Sequence, residues 1–272
     1  MHIAQWLTFA RQAGVDRLDA QLLLGHLLSR PRAWLLAHDD HRLTDLQTAT
    51  LRQQLQRRAA GEPLAYLVGE CEFCGLALQI TPDVLVPRPE TELLVEWALQ
   101  SLVTAPADSL VDLGTGSGAI ALAVKQRRPA ATVIASDASA AALRVAQANG
   151  TRHSLSVEWL HGDWWAPLQG RRVGLGVSNP PYVAGDDPHL NTLTHEPRSA
   201  LTPEGDGLAA LRRIVEGAPD HLLPGAWLLL EHGHDQADAV QALLSSRGFF
   251  HAQTRPDLAG LPRCTGAVWR HA

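Results

Sequence analysis

The stretch "VDLGTGSGA" (residues 111–119) decides the fold of this chain of 272 residues. The apolar run "SLVDLG" (109–114) reads as a buried strand, and residues 118–128 read as a helix that Pro129 ends. Three glycines within the stretch allow a tight turn between the strand and the helix. Because backbone N–H groups without a neighbouring side chain can approach a ligand closely, the stretch predicts a binding loop.

This loop matches two patterns that bind different cofactors. D-x-G-x-G-x-G resembles the cofactor loop of S-adenosylmethionine-dependent methyltransferases, and G-x-G-x-x-A is a form of the dinucleotide fingerprint. Both patterns need an acid at the end of the next strand to accept hydrogen bonds from ribose hydroxyls, and Asp137 stands there. Asp112, just before the first glycine, could meet the ammonium of a methionine moiety, which favours the first pattern without deciding between them.

Strands and helices alternate from residue 109 to the end of the chain. Further strands are predicted at 131–137, 155–160, 173–179, 226–232, 249–254 and 266–269. Further helices are predicted at 139–149, 208–221 and 235–247. Gly150 is expected to close the first of these helices. Because parallel neighbouring strands need crossover connections, the pattern predicts a doubly wound α/β sheet.

The first part of the chain is organised differently. Residues 1–68 show helical patterns only, including a capping box at "TDLQ" (44–47). Apolar and polar residues alternate after residue 70 and then meet prolines at 82, 87 and 89, which predicts a hairpin linker over 69–86. A helix is then expected to begin near Pro89, since proline is favoured in the first turn of a helix. The third segment, 87–272, contains the α/β sheet.

The predicted strand 173–179 ends in the unusual sequence "NPPY" (179–182). Ligands bind outside the carboxyl ends of the strands in an open α/β sheet, so this sequence is expected to lie beside the glycine loop. Asn179 offers a carbonyl acceptor, Pro180 a carbonyl held by the rigid Pro-Pro backbone, and Tyr182 a flat face. Two fixed acceptors and a flat surface suit a planar NH₂ group, either an exocyclic base amine or a carboxamide.

Such a nitrogen is a poor nucleophile because its lone pair is delocalised. The two acceptors would hold its N–H groups and leave the lone pair directed at a methyl donor. As the methyl group is transferred, the nitrogen becomes acidic and nearby acceptors stabilise the developing positive charge. Catalysis would therefore rest on proximity, alignment and preorganised electrostatics, without a conventional general base. An NAD-dependent oxidoreductase would leave the NPPY sequence unexplained.

Three motifs together closely resemble those of the bacterial release factor glutamine N5-methyltransferases. They are "VDLGTGSG" (111–118), "SNPPY" (178–182) and "LVPRPETE" (85–92), and the resemblance covers essentially the whole chain. NPPY is shared with adenine-N6 DNA methyltransferases, which are one alternative, whereas "PRPETE" is much more specific. It also separates the chain from the glutamine methyltransferases of a ribosomal protein, the other alternative.

The resemblance implies a class I S-adenosylmethionine-dependent methyltransferase fold. Its sheet would be Rossmann-like, doubly wound and seven-stranded, with a small all-helical N-terminal domain joined by a β-hairpin linker. The implied domains are a helical domain that binds the substrate protein (1–68), the linker (69–86) and the catalytic methyltransferase domain (87–272). The implied substrate is the glutamine of the Gly-Gly-Gln motif of class-1 peptide chain release factors, which are also the implied partners.

The resemblance also implies a set of site residues. Cofactor contacts are implied for Gly114, Thr115, Gly116, Ser117, Gly118, Asp137, Trp164 and Asn179, in addition to Asp112. Substrate contacts are implied for Asn179, Pro180, Pro181 and Tyr182. Of these, Asn179, Pro180 and Tyr182 are the expected catalytic residues. A place in the hydrophobic core is the alternative for Trp164, which is otherwise expected to form an aromatic wall beside adenine.

Composition limits the other possible partners. The net charge of −5, without a basic block, argues against nucleic acid, and no apolar run approaches the roughly 18 residues that span a bilayer. The N-terminus has no small-residue cleavage site, which predicts a cytoplasmic protein, and we expect a monomer.

Cys71 and Cys74 have C-x-x-C spacing, but no second pair of ligands stands nearby, so no metal site is predicted.

Overall fold

A computed structural model describes residues 1–270 of the chain. The chain forms two compact units, Met1–Glu70 and Cys71–Ala272. No helix within the described residues is long and apolar enough to cross a membrane.

The first unit is built from helices, as the sequence predicts. They are α1 (Ile3–Gln12), α2 (Arg17–Leu28), α3 (Arg32–Ala37), α4 (Asp45–Ala59) and α5 (Leu64–Val68). Thr44 and Gln47 form the predicted capping box before α4, with hydrogen bonds of 3.3 and 2.9 Å between each side chain and the other residue's backbone N–H. Apolar side chains from these helices form a core that includes Ile3, Trp6, Leu23, Leu24, Leu35, Leu51 and Leu55.

A β-hairpin is formed by β1 (Glu70–Phe73) and β2 (Leu76–Gln79). Its two turn residues, Cys74 and Gly75, both have left-handed backbone, with φ values of +50° and +84°. A two-residue hairpin turn with positive φ at both positions matches the right-handed twist of the strands. Cys74 therefore occupies the turn of the hairpin that the sequence predicts in this region.

The second unit contains a sheet of seven strands. They are β3 (Ser109–Leu113), β4 (Thr132–Asp137), β5 (Glu158–His161), β6 (Val173–Ser178), β7 (Leu222–Glu231), β8 (Phe249–Pro256) and β9 (Pro262–Trp269). Their order is β5-β4-β3-β6-β7-β9-β8. The first five are parallel, and β9 pairs antiparallel with β7 and β8. The predicted doubly wound sheet is confirmed, and its strand order reverses between β3 and β6.

The described part of the second unit also contains six helices. They are α6 (Glu92–Leu102), α7 (Ala119–Arg127), α8 (Ala140–Arg152), α9 (Arg198–Leu201), α10 (Ala209–His221) and α11 (Ala237–Ser246). Helix α6 follows directly on a 3₁₀ turn (Pro89–Thr91), in agreement with the start expected near Pro89. Strand β6 is buried along its whole length, as expected for a central parallel strand.

Some element boundaries differ from the predictions. Gly150 lies inside α8, which continues to Arg152, so this glycine does not close the helix. A Cβ at this position would lie 3.1 Å from the Trp159 ring and 3.3 Å from the Leu155 carbonyl, so a larger residue would not fit. This glycine permits close packing instead of a turn. Strand β7 begins at Leu222 and β9 at Pro262, each four residues earlier than predicted. Pairing with neighbouring strands extends both elements through residues that lack an apolar run.

Candidate active site

A cavity of about 400 Å³ lies where Gly114, Asp137 and Asn179 follow or end strands β3, β4 and β6. The predicted site residues that line it are Gly114, Thr115, Gly116, Ser117, Asp137, Trp164, Asn179 and Pro181. The lining also includes residues of two segments, 82–91 and 197–200, for which the motifs predict no contact. The predicted site residues that do not line it are Asp112, Gly118, Pro180 and Tyr182.

The glycine loop between β3 and α7 is held by backbone hydrogen bonds to β4. Gly114 and Gly116 have left-handed backbone, with φ values of +71° and +56°, which glycine adopts without steric cost. Gly114 and Thr115 donate their backbone N–H groups to the Ser136 carbonyl, at 2.9 and 3.0 Å. A Cβ on Gly114 would lie 3.1 Å from the Trp164 ring. The sequence therefore needs glycine here both for the turn and for contact with the aromatic ring.

Gly118 has a packing role. It is the N-cap of α7, and a Cβ there would lie 3.1 to 3.2 Å from the side chains of Trp159, Ala146 and Leu122. The third glycine of such a loop is the one that allows a helix to pack closely on its neighbours. Its position beneath the loop explains why it is absent from the cavity lining.

Asp137 is prepared to accept further hydrogen bonds. Its Oδ2 accepts from the Gly116 N–H at 2.9 Å, and its Oδ1 accepts from the Ser139 N–H at 2.8 Å. Burial raises the pKa of this carboxyl, and both hydrogen bonds oppose the rise. A carboxylate has about four lone-pair positions, so about two remain for donors from a ligand in the cavity.

Asp112 lies under the glycine loop and is completely buried. Its Oδ2 accepts from the Thr115 hydroxyl at 2.6 Å and from the Ala121 N–H at 3.2 Å. Burial raises the pKa of this carboxyl to about 7, against the effect of those two hydrogen bonds. Its Oδ1 has no hydrogen-bond partner within residues 1–270. Asp112 thus braces the loop from below, and its contact with an ammonium group stays a prediction.

Trp164 both lines the cavity and packs against the core of the second unit. Its φ of +48° is left-handed, which costs a residue other than glycine about 1–2 kcal/mol. Its carbonyl accepts a hydrogen bond from the Ser136 hydroxyl at 3.0 Å, which helps to hold this backbone. The two interpretations of Trp164, an aromatic wall and a core residue, are therefore compatible.

The NPPY sequence begins at the end of β6, where Ser178 donates its hydroxyl to the Leu113 carbonyl at 2.6 Å. This bond ties the end of β6 to the end of β3. Asn179 follows and lines the cavity, and its Nδ2 donates to the Thr91 hydroxyl at 3.1 Å. Pro180 is buried. The side chain of Asn179 is therefore placed beside the glycine loop, as expected from the strand-end rule.

Tyr182 packs against the core, and its hydroxyl donates to Glu231 Oε1 at 3.3 Å. Burial raises the pKa of Tyr182, so the phenol stays protonated and acts as a donor. Glu231, at the end of β7, is almost completely buried. Burial raises its pKa to about 7, whereas hydrogen bonds from Thr91 and Tyr182 and the charge of Arg263 lower it. The role of Tyr182 as a flat surface for the substrate stays a prediction.

Two charged residues near the cavity form a contact with each other that no motif predicts. Arg88, in the "PRPETE" segment (87–92), forms an ion pair with Glu196. The other Glu196 oxygen accepts from the Val86 backbone N–H at 3.0 Å. The motif "PRPETE" draws attention to Arg88, but the residues around Glu196 in the sequence do not indicate that Arg88 is its partner.

The cysteines of the hairpin have protonated thiols. Burial raises the pKa of both Cys71 and Cys74, that of Cys74 to about 12, and a protonated thiol is a poor metal ligand. Within the described part of the chain, no group of three or more His, Cys, Asp or Glu side chains is placed to hold a metal ion. The Cys74 backbone N–H donates to Glu92 Oε1 at 3.1 Å, so the hairpin turn is tied to the start of α6.

Comparisons with known proteins agree with this architecture. A family model described as the PrmC N-terminal domain matches residues 3–69, and one described as the methyltransferase small domain matches residues 90–213. The chain is similar in fold to the T. thermophilus 16S rRNA N2 G1207 methyltransferase solved with AdoMet and guanosine. That likeness has a TM-score of 0.54 and 20% identity, and covers 74% of this chain and 50% of the other. The fold and the glycine loop define a class I methyltransferase.

Relatives in sequence define the family more narrowly. The release factor glutamine methyltransferase of Bordetella pertussis is 52% identical over 256 residues, which cover 93% of this chain and 95% of that protein. The protein of the same name from Coxiella burnetii is 45% identical over 263 residues, covering 96% and 94%. The chain belongs to the release factor glutamine methyltransferase family. This confirms the resemblance that the three motifs indicate.

Proposed function

We propose that the chain transfers a methyl group from S-adenosylmethionine to the side-chain amide nitrogen (N5) of a glutamine. The glutamine is that of the Gly-Gly-Gln motif of class-1 peptide chain release factors. The observation that carries the proposal is the presence of Asn179 in one cavity with the glycine loop and Asp137. An amide acceptor beside such a loop suits methyl transfer to a planar NH₂ group, and the family favours glutamine over a nucleic acid base.

The residues of the cavity fit S-adenosylmethionine. An added Cβ on Gly116 would meet no atom within 4 Å, so open space lies beside the loop. Asp137 would accept hydrogen bonds from ribose hydroxyls through its remaining lone pairs, and Trp164 would flank the adenine ring. When bound, S-adenosylmethionine supplies an electrophilic methyl group on a sulfonium sulfur. The glycine loop and Asp137 orient that donor relative to Asn179.

The chemistry at the glutamine rests on Asn179 and Pro180. Asn179 lines the cavity, and its Oδ1 accepts one N–H group of the substrate amide. The carbonyl of Pro180, a residue outside that lining, is proposed to accept the other N–H group, which directs the lone pair of the nitrogen at the methyl donor. The Pro180–Pro181 backbone is rigid, so the second acceptor needs little reorganisation. As positive charge develops on the nitrogen, both acceptors stabilise it, which is the effect expected of preorganised dipoles. No side chain needs to remove a proton before the methyl group is transferred. The bond from sulfur to the methyl group breaks as the bond to nitrogen forms, S-adenosylhomocysteine leaves as a neutral thioether, and the proton that the cationic nitrogen then loses passes to water.

The first unit is proposed to contact the release factor. Leu18 and Leu22, one turn apart on α2, are 45% and 39% exposed and offer an apolar surface to another protein. The proposal includes a monomeric enzyme acting in the cytoplasm, where release factors work. Neither the charge of the chain nor its helical unit favours DNA as a substrate.

The direct experiment is incubation of the purified chain with S-adenosylmethionine and a purified release factor, followed by peptide mass spectrometry. One added methyl group is expected on the Gly-Gly-Gln glutamine, and none on a release factor in which that glutamine is alanine. Duplex DNA and ribosomal proteins are offered in parallel reactions. A methyl group on adenine or on a ribosomal protein, without methylation of the release factor, would overturn the proposal.

A further inference from the structure

Thr91 is the hydrogen-bond partner of Asn179, although 88 residues separate the two in the chain. Thr91 ends the 3₁₀ turn Pro89–Thr91 just before α6, and only 4% of its surface is exposed. Its Oγ1 lies 3.1 Å from Asn179 Nδ2. The hydroxyl is therefore held beside the amide on which the proposed reaction depends.

The direction of that amide matters for the reaction. The two ends of an asparagine amide have nearly the same shape but opposite properties, since Oδ1 accepts hydrogen bonds and Nδ2 donates them. A substrate NH₂ group brings donors, so it needs Oδ1 in front of it. A flipped Asn179 would present a donor to a donor and lose its function. A neighbouring group must therefore distinguish the two ends.

The hydrogen bond itself shows which end of the amide faces Thr91. Asn179 Nδ2 donates to Thr91 Oγ1 at 3.1 Å, so the oxygen of the amide is the end that remains for another partner. A hydroxyl has one proton and two lone pairs. With its proton directed away from Asn179, Thr91 Oγ1 offers only lone pairs to the amide. Lone pairs accept from Nδ2 and repel Oδ1, so one orientation of the amide is favoured.

We propose that Thr91 is a positioning residue that turns the Asn179 amide so that its oxygen faces the substrate nitrogen. The assignment rests on the proposed methyl transfer to an amide nitrogen. It gives the threonine of "PRPETE" a physical role, since this residue determines which end of Asn179 the NPPY sequence presents. At the other end of NPPY, Tyr182 has a separate partner, since its hydroxyl donates to Glu231 Oε1 at 3.3 Å.

Two substitutions distinguish the effect of the Thr91 hydroxyl from the effect of the shape of its side chain. Thr91→Val keeps the branched side chain but removes the hydroxyl, and Thr91→Ser keeps the hydroxyl. We expect Thr91→Val to lower kcat about 10- to 100-fold, the loss that follows when one oriented hydrogen bond is removed. Thr91→Ser should stay within about threefold of the parent chain, and the KM for S-adenosylmethionine should change by less than about twofold in both. Equal loss in both variants would contradict the assignment.

A double substitution tests whether Thr91 acts through Asn179. In an Asn179→Ala background, Thr91→Val should cause no further loss of kcat, because the amide that it positions is gone. Thr265→Val is the matched control, since it removes another buried threonine hydroxyl of the same unit, one that bonds His232 and Thr254. It should lower stability while leaving kcat unchanged. Additive losses of kcat for Thr91→Val and Asn179→Ala would overturn the proposal.

A measurement without turnover distinguishes this proposal from the proposed function. The side-chain NH₂ signals of Asn179, assigned by their loss in Asn179→Ala, can be followed by NMR with solvent exchange. The Nδ2 proton that is hydrogen-bonded to Thr91 Oγ1 should exchange slowly with solvent in the parent chain and in Thr91→Ser. It should exchange rapidly in Thr91→Val. Equal protection in all three overturns the role of Thr91, whether or not a release factor is methylated. Protection as expected without methylation overturns only the proposed function.

Discussion

Arg88 and Glu196 form an ion pair across 108 residues of the chain. Arg88 lies in one of the two segments that complete the cavity lining, 82–91, and Glu196 directly precedes the other, 197–200. The Glu196 side chain is 2% exposed, whereas that of Arg88 is 37% exposed. The Val86 N–H is the other donor to this carboxyl, at 3.0 Å. Removing the arginine would leave a buried carboxylate without its charged partner, so the cost should exceed that of a surface pair.

We expect Arg88→Met to lower the free energy of unfolding by roughly 1–3 kcal/mol, less than a fully buried pair because Arg88 is partly exposed. Urea denaturation measures the effect. Arg198→Met is the matched control, because Arg198 pairs with Glu204 on the surface, where the two side chains are 58% and 61% exposed. That variant should show no measurable change. Equal destabilisation of the two variants would contradict the structural role of the Arg88 pair.

Asn179→Ala should lower kcat by about 10²–10³, the usual cost of removing one preorganised polar group from a reaction site. The reason is the loss of the acceptor that faces the substrate amide. Steady-state kinetics with a release factor measures kcat, and circular dichroism checks the fold. Asn191→Ala, on an exposed turn, is the control and should behave as the parent chain. Unchanged turnover of Asn179→Ala with an intact fold would remove its catalytic role.

Gly116→Ala should weaken the binding of S-adenosylmethionine by about tenfold or more, since a methyl group on the loop blocks close approach of the ligand. Gly170→Ala is a close control. Both glycines have left-handed backbone, with φ values of +56° and +80°, and an added Cβ meets nothing within 4 Å at either position. Both variants should therefore suffer similar backbone strain. Isothermal titration calorimetry should detect weaker binding only in Gly116→Ala, and equal affinity would contradict the cofactor contact.

The contribution of Asp112 and Glu231 to the free energy of unfolding should fall as the pH rises from about 4 to about 7. Burial raises the pKa of Asp112 and Glu231 to about 7, from ordinary values of 3.8 and 4.5. Between those values the folded protein keeps protons that the unfolded chain has released, so these groups favour folding at low pH and lose that contribution as they ionise.

Glu231→Gln removes one of these titrating groups and should flatten the pH dependence. The change between pH of about 5 and about 8 should decrease by up to about 3 kcal/mol. Urea denaturation at both pH values measures it. Glu216→Gln, on the exposed face of α10, is the control and should leave the dependence unaltered. An unchanged dependence in Glu231→Gln would show that Glu231 is ionised throughout this range.

Local patterns were sufficient to predict the sheet and the residues that meet at its carboxyl edge. The glycine loop, Asp137 and Asn179 each follow or end a strand, and the strand-end rule for open sheets places such residues together. Gly150 shows the limit of the same approach. A glycine at a predicted helix end and a glycine required by a neighbouring tryptophan look alike in a sequence, and only the packed structure distinguishes them.

Contacts between distant segments were beyond prediction. The bonds from Thr91 to Asn179 and from Arg88 to Glu196 span 88 and 108 residues, and neither leaves a periodic or spacing pattern. The direction in which a side chain points at the end of a strand cannot be predicted from the sequence either. Asp112 and Tyr182 belong to the expected motifs, yet their polar groups bond Thr115 and Glu231.

The contacts of Arg88, Thr91 and Glu92 depend on the number of residues between them as much as on which residues they are. Their partners lie in three separate segments, at Glu196, Asn179 and Cys74. One residue inserted between Arg88 and Thr91, within the 3₁₀ turn, would rotate Thr91 and Glu92 by about 120° relative to Arg88, so the three contacts would no longer form together. A substitution removes them one at a time. Insertions and deletions should therefore be rejected here, whereas the exposed turn between β8 and β9 can accept them.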